Sequence, residues 1–186
     1  SDALSRLTID SRCRITTPYH QAAGRLREVL RGGAAHGTCG VGVGETVRLS
    51  LDHPTLTLRY ADLAIRSSAE RISRLDQLRG IRETLLAALA PMLSRDATPS
   101  SHAELGMLQD DAAGSRWLAA AQLLARQCPP ATPAAIHAQL SEPGAVLFEG
   151  AQGILLDEWR GFHPHTTWSS ITTQAVEAAA AGVGLA

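Results

Sequence analysis

Apolar and polar positions along this chain recur mostly in helical rhythm rather than in the period of two that marks strands. Ala22, Leu26, Val29 and Leu30 return at three- and four-residue spacing. Thr17-Pro18 precede them as N-cap and first helical residue, and Gly32-Gly33 follow as a stop. A longer helical block is predicted from Ser67, where Ser67 and Glu70 form an S-x-x-E capping box. Its expected buried stripe is Ile72, Leu75, Leu78, Leu85, Leu86 and Leu89, with Ile81 near the edge and Gly80 as a weak point. Pro91 and a loop over residues 94–100 end that block, and a second box, Ser101 with Glu104, opens a short helix. Helix resumes over residues 114–127 with Trp117, Leu118, Leu123 and Leu124, breaks at Pro129-Pro130, and restarts at Thr132-Pro133. Residues 67–140 are thus predicted to be almost entirely helical. No internal repeat or low-complexity linker divides the chain, so residues 1–186 read as a single unit.

Strand-like patterns are few. Leu7-Thr8-Ile9-Asp10 alternates and predicts a short strand or extended piece, and residues 47–58 alternate weakly, as loop or short strand. Ala145-Val146-Leu147-Phe148, ending in Glu149-Gly150, reads as a buried parallel strand. Polar groups just beyond such a strand lie at the carboxyl edge of a sheet, where α/β proteins bind ligands. The Ala-rich stretch 174–181 predicts a closing helix. This divides the unit into a helical subdomain over 60–143 and a strand-loop-helix segment over 144–186.

Composition narrows the function classes. With 45% apolar and 19% charged residues the chain is of globular type. A net charge of −1 without a charge block argues against a nucleic-acid or membrane-surface partner. No apolar stretch approaches the roughly 20 residues of a bilayer span, and no charged-then-apolar leader is read at the start. Cys13, Cys39 and Cys128 are an odd number without a CxxC pair, which argues against a disulfide framework and predicts a reducing, cytoplasmic setting. All 17 basic residues are arginine, and asparagine is also missing. Without lysine these residues offer neither a phosphate-loop lysine nor a Schiff base.

Three constellations carry candidate chemistry. The loop from His36 through Gly37-Thr38-Cys39-Gly40-Val41-Gly42-Val43-Gly44 brings unobstructed amides together, as an anion-binding nest or as a flexible turn. Phe148-Glu149-Gly150-Ala151-Gln152-Gly153 places two polar side chains and three small residues at the predicted strand end, for a polar ligand edge or for a capped turn. His163-Pro164-His165-Thr166-Thr167-Trp168-Ser169-Ser170 offers two histidines to a metal, but its hydroxyl groups and proline favour a surface binding loop. Asp110-Asp111 reads as an acidic pair at a helix N-terminus, and Cys128 as packing or surface.

Taken together these segments resemble the adenylosuccinate synthetase family. The family's F-E-G-A-Q-G-x-L-L-D is matched at every fixed position by Phe148 to Asp157. Its G-T-T-G-x-G-I-G-P is matched loosely from Gly37 to Glu45, and its G-x-x-P-x-V-T-S-S-N-T-T is echoed from Gly161 to Thr173. Tyr19-His20 at a helix start fits as well. The resemblance implies an α/β, P-loop-type fold of which this chain is a mainly helical part with a few short strands. It implies a ligase that joins IMP to aspartate using GTP and magnesium, a homodimer in the cytoplasm. Position by position, Gln152 matches the glutamine on the purine 6-oxygen side and Thr167 a threonine on the IMP 5′-phosphate. Thr38 and Cys39 match two successive threonines, the second of them phosphate-binding. Cys39, Val41, Glu45 and Ile171 depart from the family's threonine, basic residue, proline and asparagine. Arg48 lies nearest to the arginine that a partner subunit lends, at a different spacing.

The resemblance covers the middle of a family chain more than twice this length. The family's G-D-E-G-K-G-K loop with its catalytic aspartate, the catalytic histidine after it, and the later aspartate and guanine loops have no counterpart in these residues. The expected role is therefore part of an IMP site, inactive by itself, with no catalytic or metal residue assigned. A sister ligase for another purine nucleotide and a non-catalytic helical interaction module are the alternatives.

Overall fold

Thr17 opens the first helix, α1 (Pro18–Arg31), through a reciprocal cap. Its hydroxyl accepts from the His20 amide at 3.4 Å while its own amide donates to His20 Nδ1 at 3.0 Å. Such a cap is worth about 1 kcal/mol. The same Thr-Pro start recurs at α4 (Pro99–Gln109) behind Thr98 and at α6 (Pro133–Leu140) behind Thr132. The computed structural model describes residues 3–93 and 98–184, and it is mainly helical. The remaining helices are α2 (Val43–Asp52), α3 (Ser68–Leu89), α5 (Asp111–Gln127) and α7 (Thr173–Ala181). Of the loop expected over 94–100, residues 94–97 lie outside the described residues, while Pro99 and Ser100 already belong to α4.

The core is built where α1, α3, α4 and α5 meet the 3₁₀ turns between α2 and α3. Leu26, Leu78, Ile81, Leu89, Leu108 and Leu118 are sealed inside it, with Tyr19 and Tyr60. Each tyrosine satisfies its hydroxyl. Tyr19 donates to the Asp110 carbonyl at 3.1 Å and accepts from the Gly114 amide at 2.9 Å. Tyr60 donates to the Cys128 carbonyl at 2.6 Å, and burial pushes its phenol up to about 12. Cys128 is itself packed inside. Asp110 caps α5 through the Ala112 amide at 2.8 Å and pairs with Arg116, while Asp111 pairs with Arg82.

Several expectations need correcting. The 47–58 stretch is not a strand: α2 begins inside the glycine loop at Val43 and runs through Asp52, leaving only 57–59 extended. Ile72 is 60% exposed, and Ile81 rather than Ile72 lies at the centre of the α3 stripe. At about 100° per residue, Ile72 falls about 120° around the helix from Leu78, off the face that Ile81, Leu85 and Leu89 share with it. The second capping box runs from Thr98 to Ser101, not from Ser101 to Glu104, because Pro99 takes the first helical position. Leu123 is exposed on α5. Residues 146–148 form no strand. Val146 and Phe148 are half exposed and Leu147 is 92% exposed, with no neighbouring strand among the described residues to receive their backbone groups. Among the described residues the only β pairing is two isolated bridges, Asp10 with Ala131 and Arg14 with Arg59, so Leu7 to Asp10 is the extended piece. No described helix is long and apolar enough to cross a membrane.

The start of α2 fixes the glycine loop. Gly42 is its N-cap in left-handed conformation, φ +90°. A Cβ there would lie 2.7 Å from the Gln21 amide nitrogen and 2.9 Å from the His20 carbonyl carbon. Gly42→Ala is therefore expected to lower stability by at least about 1–3 kcal/mol, the cost of the backbone conformation alone. A urea unfolding midpoint equal to that of the parent chain would contradict this packing.

Candidate functional site

The 35–42 loop is tied down by charged side chains from α1. Glu28 Oε1 accepts from the Gly37 amide at 2.5 Å and the Thr38 amide at 3.4 Å, and Arg31 holds the other carboxylate oxygen at 3.1 Å. Partial burial alone would push this carboxyl up. The hydrogen bonds from Gly37, Arg31, Thr38 and His36 outweigh it and hold Glu28 below the usual carboxylate value. Arg25 Nε donates to the Gly40 carbonyl at 3.0 Å, and its stem covers the position where a Gly40 side chain would stand. Beyond the loop, Glu45 is buried in the first turn of α2, 2.8 Å from Arg27 Nε and 3.9 Å from Arg48. Thr46 closes the joint, its hydroxyl 2.9 Å from that of Thr16 and 3.0 Å from the Gly42 carbonyl.

His20 lies buried beneath this joint, and desolvation lowers it to about 4 against a smaller pull from Glu45. It is neutral at neutral pH. Because Nδ1 accepts the Thr17 amide, the ring proton sits on Nε2, which has no partner among the described residues.

A second carboxylate organises the other candidate segment. Asp157 is fully buried. It accepts from the Ile171 amide at 2.8 Å, the Trp159 amide at 2.9 Å and the Arg160 amide at 3.0 Å. Those backbone donors, Ile171 first, with Ser170 beside them, hold it down to about 2 against the opposing effect of burial. The turn closes at Gly161, where a Cβ would meet the Leu155 carbonyl oxygen at 2.5 Å.

The loop that Asp157 folds reaches the glycine loop. Trp168 Cδ1 lies 3.8 Å from the Cβ position of Gly44, and the His36 and His165 rings stand edge to face with centroids 6.5 Å apart. Gln152 joins the same group, its Nε2 donating to Ser169 Oγ at 2.5 Å and to the Ser169 carbonyl at 3.4 Å. Thr167 is exposed and its hydroxyl lies 3.1 Å from Ser169 Oγ and 3.2 Å from the Leu156 carbonyl, to which it donates. Thr38 and Cys39 are exposed on the glycine loop. Gln152 and Thr167 thus share the hydroxyl of Ser169, while Thr38 and Cys39 lie on the glycine loop, which meets this group through His36 and Gly44. Sequence reasoning missed Glu28 and took Asp157 only as the end of a motif. Glu28 acts on amides 9 and 10 residues away, and Asp157 on two local amides and one 14 residues away.

The adenylosuccinate synthetase family model matches residues 1–186. The chain belongs to the adenylosuccinate synthetase family. It is similar to the adenylosuccinate synthetase of Synechococcus sp. (strain CC9902), 31% identical over 181 residues, which are 97% of this chain and 37% of that protein. The enzyme of the same name from Methylococcus capsulatus is 32% identical over 184 residues, 97% of this chain and 37% of its own length. That from Aliivibrio fischeri is 30% identical over 179 residues, 96% and 36% respectively. The chain spans a little over a third of the length of these curated relatives.

Within the adenylosuccinate synthetase frame the F-E-G-A-Q-G-x-L-L-D segment ends on Asp157, so its last residue fixes the loop that carries Thr167. The folded-state value of Asp157 is depressed, so its contribution to stability is complete above about pH 4. It is lost as the pH falls from about 4, where the unfolded chain protonates, towards about 2. Asp157→Ala should remove that part of the acid dependence and the hydrogen-exchange protection of the Trp159, Arg160 and Ile171 amides. Retained protection at all three would contradict the role given to Asp157.

Proposed function

We propose that this chain contributes the IMP-facing part of an adenylosuccinate synthetase-like ligase and acts with further ligase segments rather than alone. The observation that carries this reading is the meeting of the glycine loop with the 163–169 loop, onto which Gln152 is bonded. On this reading Gln152 faces the purine 6-oxygen, and Thr167 and the Cys39 position, with Thr38 beside it, face the 5′-phosphate. Cys39 replaces a hydroxyl by a weaker hydrogen-bond donor. Binding the nucleotide requires the Thr167 hydroxyl to turn from the Leu156 carbonyl towards the phosphate. It also requires Gln152 to aim an N–H of Nε2 at the 6-oxygen, with its second hydrogen or by giving up Ser169. Residues 60–143 serve as the helical subdomain that braces α1, and 144–186 as the segment bearing the site motif.

The exposed apolar residues Val146, Leu147, Phe148, Ile154, Leu155 and Leu156 support the need for more ligase around this segment. In the α/β, P-loop-type architecture of the proposed whole, 146–148 pairs as a strand once neighbouring strands are supplied. A homodimer and a cytoplasmic setting belong to the same proposal. GTP and magnesium would bring the phosphoryl group and its charge neutralisation. The residues here do not fit that pair: the chain has no lysine, and no three His, Cys, Asp or Glu side chains gather for a metal among the described residues. No step through them is assigned to this chain.

Cys39 and the buried Glu45 favour a second reading, a sister ligase for another purine nucleotide, since both alter the loop that would face the phosphate. Calorimetric titration with IMP and with GMP distinguishes the two. IMP is expected to bind weakly, with Gln152→Ala and Thr167→Ala each weakening it about tenfold or more. The chain alone is expected to form no adenylosuccinate from IMP, aspartate and GTP. IMP affinity equal to that for inorganic phosphate, unchanged in both variants, would overturn the proposal.

A further inference from the structure

A loop rich in glycine offers amides to an anion, and in this chain an anion of its own already sits there. Glu28 reaches from the last turns of α1 and takes the Gly37 and Thr38 amides, and Arg31 from the final turn holds its second oxygen. The carboxylate is mostly shielded, with only 17% of its side chain exposed. These amides lie on the same loop wall as Thr38 Oγ1 and Cys39, the groups that face a phosphate on the reading proposed above.

Resting on that reading, we propose that Glu28 is a specificity-determining internal anion, which occupies the Gly37 and Thr38 amides in the free chain and must release them before a phosphate group takes them. A phosphate monoester carries about −1.5 to −2 charge at neutral pH and cannot share two donors with a carboxylate at no cost. Release would also free Arg31, whose guanidinium then faces the incoming anion in place of Glu28. The exchange is charge for charge. It discriminates against neutral ligands, which gain too little to displace the carboxylate, and it weakens every anion by the strength of the internal contact. The contrary role is a brace, in which Glu28 holds the amides in a binding-ready loop and remains in place when ligand arrives.

Glu28→Gln separates the two, because glutamine keeps the size and an accepting oxygen for Gly37 but removes the charge. The purified chain, Glu28→Gln and Glu28→Ala would be titrated with inorganic phosphate and with IMP, and amide exchange followed at Gly37 and Thr38. The expected result is phosphate and IMP binding about tenfold tighter in Glu28→Gln than in the parent. Exchange at Gly37 and Thr38 should be fastest in Glu28→Ala without ligand and slow again when phosphate is added. Equal or weaker binding by Glu28→Gln, with ligand still bound by the parent, would overturn the internal-anion role and leave the site reading standing. Binding by none of the three proteins would overturn the site reading and this inference with it.

Discussion

Gly42 sits against the first turn of α1 with no room for a single further carbon. Because the Gln21 nitrogen and the His20 carbonyl carbon crowd that position, the glycine loop can pass this close to α1 on its way into α2 only with a glycine there. The rest of the site follows from it. α2 starts immediately, Glu45 is carried inward to Arg27, Thr46 meets Thr16, and Gly44 is left open on the side where Trp168 rests. The Thr17–His20 cap holds the other partner of that contact rigid, at the cost of a buried imidazole that stays neutral.

Both loops of the site are ordered by the same device, a carboxylate that gathers backbone amides in place of regular secondary structure. Asp157 does this for 159–171 and Glu28 for 37–38. An irregular loop has few backbone partners of its own, so its unpaired N–H groups need such an acceptor, water or a ligand. The two carboxylates differ in consequence. Asp157 is buried beneath its loop, clear of the surface that carries Thr167, whereas Glu28 takes up donors that the loop would otherwise offer outward.

Much of this was legible in the residues. Thr-Pro starts, the Ser67 cap and the double glycine after α1 act within three or four residues, and each helix they marked is present. Ser67 does accept from Glu70, but Glu70 returns its carboxylate to the Arg66 amide. What failed depended on distance in the fold. α2 was hidden because its cap is a glycine inside a glycine run, and its stabilising ion pair comes from another helix. Residues 146–148 have the composition of a buried strand, but a strand exists only through its neighbours. The motif at 148–157 was plain in sequence; that its aspartate folds the adjoining loop, and that this loop meets the glycine loop, was visible only in three dimensions.

The account stands or falls on that meeting, since a common nucleotide face requires the glycine loop and the 163–169 loop to touch. It is tested most directly by nuclear Overhauser contacts in the ligand-free chain, between the Trp168 indole Hδ1 and the Gly44 Hα protons and between the His36 and His165 rings. Both contacts are predicted to be present. Their joint absence, with the Asp157-bonded amides still protected, would contradict the shared site while leaving the fold of each loop intact.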